Sequence, residues 1–126
     1  MADITIISGG LDTNNVGLRY NAMIAAEDIL ACEAVYISGA NSVSKASNSV
    51  TTNGESKFIG LAPKDYRAGE PVTVFGNGSR FKYSIGMTPG EYLYVSSTAG
   101  KLTDEGAVGD RPVAIALNST DIQIIR

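Results

Sequence analysis

The segment Glu33-Ala-Val-Tyr-Ile-Ser38 recurs in the second half of the chain as Glu91-Tyr-Leu-Tyr-Val-Ser96. Side chains on a strand point alternately to its two faces, so a short segment of this kind fits a β-strand that buries at least one face. The β-branched and aromatic residues in both copies favour the same conformation. The two segments predict equivalent strands, one in each half of the chain.

The segments that follow each copy also occur in the same order. A turn and a strand come first, then an apolar stretch of strand length, and then a further strand. The corresponding pairs are 42–45 with 100–103, 58–62 with 112–116, and 71–74 with 121–124. Coincidence is the alternative, because short β segments resemble one another. We favour an internal repeat over approximately residues 29–75 and 87–126, whose halves bury their apolar faces together in a small closed barrel with pseudo-two-fold symmetry.

Residues 21–34 are the only part with a helix-like composition, because they are rich in alanine. A short apolar stretch is ambiguous between helix and strand, and we favour a strand that ends near Ala26, before a turn at Glu27-Asp28. Further along, Gly76-Asn77-Gly78-Ser79 separates two alternating segments and predicts a hairpin turn. In the second segment Phe81, Tyr83 and Ile85 are expected to face the same way. With about eight to ten short strands, the chain is predicted to be all-β.

The N-terminal residues stand apart from this pattern. A short apolar patch is followed by Ser8-Gly9-Gly10 and Asp12-Thr13-Asn14-Asn15, which are typical of turns and loops. We therefore predict an extended N-terminal arm over residues 1–22 and a β-barrel domain over residues 23–126. The apolar anchors of the arm are Ile4, Ile6, Ile7, Leu11, Val16, Leu18 and Tyr20.

The residue types exclude most catalytic chemistry. The chain has no histidine and one cysteine, so a serine–histidine–aspartate triad, a thiolate zinc site and an intrachain disulfide are all impossible. The carboxylate pairs Glu27-Asp28 and Asp104-Glu105 are interpreted as solvated turn residues, because neighbours on a strand point to opposite faces. Cys32 is interpreted as a small buried apolar residue. We expect no catalytic residue, metal or cofactor, and therefore not an enzyme.

The net charge is −3, from 10 basic and 13 acidic residues, so a nucleic-acid partner is not expected. The first residues lack the pattern of a signal peptide, and no window approaches the roughly 18 apolar residues of a membrane span. Synthesis and use in a cytosol-like compartment, without membrane attachment, are the expectation.

Three tyrosines are candidates for a subunit interface, because tyrosine combines apolar area with a polar tip. Tyr92 and Tyr94 lie on the same face of their predicted strand, opposite Leu93 and Val95. Tyr66 is the third candidate. For Tyr92 and Tyr94, plain surface exposure is the equally weighted alternative.

Ile29-Leu-Ala-Cys-Glu-Ala-Val-Tyr-Ile37 resembles the "A-x-x-I-x-A-G-E-x-V" opening of small tailed-phage capsid decoration, or cement, proteins. Cys32 departs from it, because that family usually has glycine there. Other segments resemble later parts of the family pattern, and the resemblance covers roughly residues 23 to 126. These segments are 56–62, 68–74, 86–95, 98–102 and 112–117.

The resemblance implies a β-barrel or β-tulip-like domain, often trimeric, on the outer surface of the virion capsid, with the major capsid protein as partner. The arm then adds a strand to an exposed capsid sheet edge, and each oligomer bridges adjacent subunits. Two alternatives stay open. One is a tail, fibre or host-attachment module that binds glycans. The other is a β-clip-type domain of an enzyme or chaperone, suggested by the acid-Ile-x-x-x-Glu turn at Asp28–Glu33.

Overall fold

A computed structural model describes residues 3–4, 6, 17–47, 58–105 and 111–126 of the protein. Over this part the chain is all-β and contains no helix, which confirms the predicted class, and a helix able to cross a membrane is accordingly not found there. The strands are β1 (Asp3–Ile4), β2 (Arg19–Ala25), β3 (Ala34–Gly39), β4 (Ser42–Lys45), β5 (Phe58–Leu61), β6 (Pro71–Phe75), β7 (Arg80–Lys82), β8 (Tyr92–Val95), β9 (Leu102–Thr103), β10 (Ala114–Ala116) and β11 (Asp121–Ile124).

Five strands close into a barrel in the order β2-β4-β3-β5-β6. The barrel closes because β2 pairs with β6 in an antiparallel manner and with β4 in a parallel manner. One apolar cluster belongs to these strands and to the two turns beside them, and we call it the barrel core. It comprises Met23, Ala25, Ile29, Val35, Val43, Ile59, Ala62, Tyr66, Val72 and Val74.

The remaining strands form an open six-stranded sheet in the order β1-β9-β8-β10-β11-β7. Its buried side chains share one cluster with barrel residues, and we call this cluster the shared layer. It contains Ala34, Tyr36, Phe58, Leu61 and Phe75 from the barrel, together with Phe81, Tyr83, Leu93, Val95, Leu102, Ile122 and Ile124 from the second half.

The first three residues of β3 are buried on both faces of the strand, whereas its last three residues are exposed. Val35 belongs to the barrel core, whereas Ala34 and Tyr36 belong to the shared layer. Alternate side chains on a strand point to opposite faces, so β3 separates the two apolar regions. The prediction that this segment buries at least one face therefore holds for both faces over residues 34–36.

The two halves of the chain pair their strands in the same order. The first half has β4-β3-β5-β6 and the second has β9-β8-β10-β11, with every neighbouring pair antiparallel. They differ in how the ends are covered. In the first half, β2 pairs with both end strands and closes the barrel. In the second half the two end strands have different partners: the three-residue β7 pairs with β11, and β1 covers the edge of β9. The barrel is thus formed by the first half alone.

The predicted hairpin between residues 71–75 and 80–85 is wrong. A turn does occur there, with the Ser79 N–H donating to the Gly76 carbonyl at 3.0 Å and with φ of 93° at Gly78. However, both edges of β6 are occupied by β2 and β5, so β7 pairs with β11 instead. The turn carries the chain from the barrel to the second sheet. Because β7 ends at Lys82, Ile85 does not follow Phe81 and Tyr83 into the shared layer and is exposed.

The predicted end of the arm at residue 22 falls inside a strand, because β2 begins at Arg19. The positions 19–22 are therefore part of the barrel wall. The predicted strand end near Ala26 agrees with the structure, in which β2 ends at Ala25.

Gly60 supplies a test of the barrel closure. A Cβ atom at this position would lie 2.3 Å from the Phe75 carbonyl oxygen, beside the Leu61–Phe75 pairing of β5 with β6. We expect Gly60→Ala to lower the free energy of unfolding by about 1–3 kcal/mol, because strands β5 and β6 must move apart. Urea denaturation measures this change. Gly39→Ala is the matched control, since its nearest neighbour would be the Ser42 Cβ at 3.9 Å. Equal effects of the two substitutions would contradict the close approach.

Candidate functional site

Two turns of the same sequence pattern pack against each other beside the barrel. They are Asp28-Ile-Leu-Ala-Cys-Glu33 and Asp65-Tyr-Arg-Ala-Gly-Glu70, and we call them the paired turns. Ile29 and Tyr66 exchange both backbone hydrogen bonds, at 2.9 and 2.7 Å. The acidic residues then bond reciprocally: the Ala31 N–H donates to Asp65 Oδ1 at 2.8 Å, and the Ala68 N–H donates to Asp28 Oδ1 at 2.9 Å. Each turn therefore holds the backbone of the other.

A glutamate closes each of the paired turns. The Leu30 N–H donates to Glu33 Oε1 at 2.8 Å, and the Arg67 N–H donates to Glu70 Oε1 at 2.6 Å. The residue before each glutamate has a positive φ, 67° at Cys32 and 89° at Gly69. Cys32 thus adopts the backbone conformation that glycine adopts in the second turn, at a cost of about 1–2 kcal/mol. Burial of its side chain in the shared layer offsets part of that cost.

A shallow groove of about 380 Å³ lies over the paired turns. It is lined by Asp28, Leu30, Asp65, Tyr66, Arg67 and Glu70. Its three carboxylates each accept a hydrogen bond from a backbone amide, so the two turns account for their positions. Across the described part of the chain, no three His, Cys, Asp or Glu side chains are grouped so that they could hold a metal ion. The arrangement stabilises the backbone and offers no evident ligand set.

The Cys32 thiol is buried, as the sequence interpretation expected. Desolvation by burial raises its pKa from 9.0 to about 11. The thiol is therefore protonated at neutral pH, and a protonated thiol is a poor nucleophile. Its Sγ lies 3.9 Å from the Lys82 carbonyl oxygen, as a weak donor.

Two of the predicted arm anchors contact their own chain. Strand β1 places Ile4 opposite Leu102 at the edge of the second sheet, and Ile4 and Ile6 pack half-buried against the shared layer. The segment that contains Ile4 would first have to separate from β9 before it could add a strand to the sheet of another protein. The anchors Ile7, Leu11 and Val16 lie outside the described residues.

The last two anchors of the predicted arm, Leu18 and Tyr20, lie where the chain enters the first strand of the barrel. Leu18 is 53% exposed, while its backbone is fixed by hydrogen bonds with Asn77 and Gly76 at 2.8 and 2.7 Å. Tyr20 is half-buried in β2 and packs against the barrel core. Of these two, Leu18 offers apolar surface to another molecule.

The structure does not bring the three candidate interface tyrosines together. Leu93 and Val95 are fully buried, so Tyr92 (50% exposed) and the half-buried Tyr94 lie on the outer face of β8, as predicted. Tyr66 instead belongs to the barrel core, and its ring lies 5.4 Å from Lys64 Nζ. Tyr92 and Tyr94 thus share one sheet face, whereas Tyr66 offers little surface.

The sequence interpretation identified the first of the paired turns but missed the second. The signal for it was present, because Asp65, Ala68 and Glu70 repeat the spacing of Asp28, Ala31 and Glu33. Had this local repeat been recognised, Tyr66 would have been expected to occupy the buried position of Ile29.

No protein-family model matches the chain, and no curated protein matches it. Functional inference therefore rests on its own residues, their placement in the fold, and the partial resemblance described above.

The reciprocal bonds of the paired turns can be tested by a double-mutant cycle. Asp65→Ala and Asp28→Ala should each lower the free energy of unfolding by about 1 kcal/mol, because each leaves a backbone amide without its acceptor. The double variant should lose at least about 0.5 kcal/mol less than the sum, since both bonds hold the same pair of turns. Asp65→Asn, which keeps an acceptor oxygen, is the control and should lose less than Asp65→Ala. Additive losses would contradict the reciprocal arrangement.

The thiol at Cys32 predicts a pH dependence of stability. Below pH 9 the folded and unfolded chains both keep this proton, but between pH 9.0 and about 11 only the folded chain keeps it. Stability should therefore fall as the pH rises through this window, by up to about 2–3 kcal/mol from this group. Urea denaturation from pH 8 to 11 gives the free energy of unfolding of the wild type and of Cys32→Ala as a function of pH. The difference between the two slopes reports the thiol, because tyrosine and lysine titrate in both proteins. Parallel profiles would contradict the prediction.

Proposed function

We propose that this protein is a structural component of a tailed-phage virion that binds the outer surface of the assembled capsid. In this role it bridges adjacent subunits of the major capsid protein as a homo-oligomer, expected to be a trimer. It performs no catalysis, and its contribution is to hold capsid subunits together.

The observation that carries this proposal is where the residues of the family resemblance lie in the fold. Residues 29–37 form the first of the paired turns and β3, and residues 86–95 form the turn before β8 and that strand. Strands β3 and β8 occupy equivalent positions in the two halves, each between its two antiparallel partners. The resemblance thus lies on the repeated framework of the domain and not on isolated loops.

The N-terminal segment supports a binding role through strand addition. Strand β1 covers an edge of the second sheet with two residues, so a segment of this chain already pairs at an open edge. Transfer of that segment to a capsid sheet would expose two half-buried isoleucines, at a cost of about 2–4 kcal/mol. Backbone pairing over a longer stretch of the capsid edge offsets such a cost.

The charge supports a location on the outside of the capsid. The chain carries a net charge of −3 and has no basic cluster in its sequence. A protein on the inner surface of a filled capsid faces densely packed phosphate groups, which repel acidic surfaces. The outer surface imposes no such penalty.

The proposed function is tested by mixing purified protein with undecorated, expanded capsid shells of its phage and measuring co-sedimentation. We expect saturable binding at a ratio fixed by the symmetry sites of the shell. Deletion of residues 2–16 should reduce this binding at least tenfold while Gly17 and β2 stay in place. Thermal denaturation of the truncated protein is the control for folding, because the deletion also uncovers β9.

Two outcomes would contradict parts of this proposal. Full binding by the truncated protein would show that residues 2–16 do not make the capsid contact and that the folded domain makes it. No binding to any mature shell would exclude the capsid role. A glycan-binding screen would then test the alternative of a tail or attachment module, for which the exposed Tyr92 ring is the contact to examine first.

A further inference from the structure

The turn that carries the chain from β6 to β7 contains the pair Asn77-Gly78. Asn77 is exposed, so water has access to its side-chain amide. Glycine has no Cβ, so no side chain shields the backbone nitrogen of Gly78. Asparagine is among the chemically labile residues, and an asparagine before glycine is the arrangement in which its amide is lost most readily.

Loss of that amide, or deamidation, proceeds through a cyclic imide. The Gly78 backbone nitrogen forms a bond to Asn77 Cγ, its proton passes to the side-chain nitrogen, and the Cγ–Nδ2 bond breaks to release ammonia. Water then adds to one of the two carbonyl carbons of the ring and breaks the bond from that carbon to nitrogen. One product has an ordinary aspartate at position 77, and in the other the main chain runs through the former side chain. Water is the only co-reactant.

Hydrogen bonds hold the peptide group between Asn77 and Gly78 from two sides. The Leu18 N–H donates to the Asn77 carbonyl at 2.8 Å, and the Gly78 N–H donates to the Ile124 carbonyl at 2.7 Å. Ring closure requires this peptide group to rotate until the Gly78 nitrogen faces Asn77 Cγ. That rotation breaks both hydrogen bonds, and the nitrogen that must react is itself the donor in one of them. The folded turn therefore opposes the reaction.

The segment Gly17-Leu18, which leads into β2 and which we call the entry segment, lies directly against this peptide group. A Cβ atom at Gly17 would be 2.1 Å from the Asn77 carbonyl oxygen and 2.6 Å from the Gly78 Cα. The Gly17 N–H also donates to Ser79 Oγ at 3.0 Å, and Ser79 is fully buried. The peptide group has no room to rotate at such a close approach, so the entry segment must separate from the turn first.

We propose that Asn77 is a site of spontaneous deamidation, and that the entry segment keeps the reaction slow until it separates from the turn. The rate in the folded chain is then the rate of an unstructured Asn–Gly pair multiplied by the fraction of molecules in which the entry segment is open. The inference concerns the folded chain itself and does not depend on the proposed function.

Deamidation at this position is irreversible and alters the connection between the two halves of the chain. Either product adds one negative charge to the net charge of −3. Where the main chain runs through the former side chain, the backbone is one carbon longer, so the hydrogen bonds to Leu18 and Ile124 no longer form with the same geometry. A molecule that stays open long enough to react therefore does not close again as before.

Tryptic peptide mapping of the full chain after incubation at mildly alkaline pH measures the rate. Cleavage after Arg67 and Arg80 gives peptide 68–80, in which Asn77 is the only asparagine and glutamine is absent. Deamidation raises the mass of this peptide by about 1 Da. The second Asn–Gly pair, Asn53-Gly54, lies outside the described residues and falls in a different peptide. Synthetic peptide 68–80 gives the unstructured rate, and we expect the folded protein to react at least about tenfold more slowly.

Two variants test the role of the entry segment. Gly17→Ala should raise the rate in the folded chain at least about threefold, because the added methyl group pushes the entry segment away from the turn. Ser79→Ala is a milder variant that removes the acceptor of the Gly17 N–H and should also raise the rate, measured relative to its own synthetic peptide. Gly39→Ala is the matched control, since its nearest neighbour would be 3.9 Å away, and it should leave the rate unchanged. Thermal denaturation shows that each variant is folded.

Three results would overturn the inference. If the synthetic peptide does not deamidate at Asn77, the position is not a site of the reaction. If the folded wild type reacts as fast as the peptide, the fold gives no protection. If the folded Gly17→Ala and Ser79→Ala variants react no faster than the wild type, the entry segment does not control the reaction.

Discussion

The apolar layer shared by the barrel and the second sheet is the interaction on which the rest of the structure depends. The second half of the chain forms an open sheet, so it has no enclosed core of its own. Its large inner side chains, including Phe81, Tyr83 and Leu93, are fully buried only because Tyr36, Phe58 and Leu61 from the barrel pack in the same cluster. The barrel core is a separate apolar cluster, so the shared layer is the one that joins the two halves of the chain.

This constraint also decides which surfaces stay available for binding. The first three residues of β3 are buried on both faces and are closed to a partner, and its last three residues are exposed. The inner face of the second sheet is used as well, which leaves its outer face, its end loops and its edges. The tyrosines of β8 and the N-terminal strand lie at these remaining places. The barrel half also keeps exposed apolar side chains, at Leu18, Ile24 and Ile37.

Local patterns were enough to predict the class of fold and several side-chain directions. Alternation identified β3, β6 and β8, and the period of two placed Tyr92 and Tyr94 opposite the buried Leu93 and Val95. A repeat was visible in the sequence, and the strands of the two halves pair in the same order. These features depend on neighbours along the chain, and a sequence records neighbours directly.

The features that sequence reasoning missed depend on contacts between distant residues. The turn at residues 76–79 is typical of a hairpin, but whether its strands pair depends on the edges of β6, which β2 and β5 already occupy. Tyr66 was expected at the surface, yet its pairing with Ile29 carries it into the barrel core. Ile4 and Ile6 were expected to be free for a partner, and the edge of β9 and the shared layer hold them instead.

A cryo-electron microscopy reconstruction of expanded capsid shells saturated with this protein would show whether it binds and bridges capsid subunits. We expect extra density on the outer surface at symmetry-related sites, in which the all-β domain contacts two neighbouring capsid subunits. Bare shells at saturating protein, or density confined to the inner surface, would contradict it.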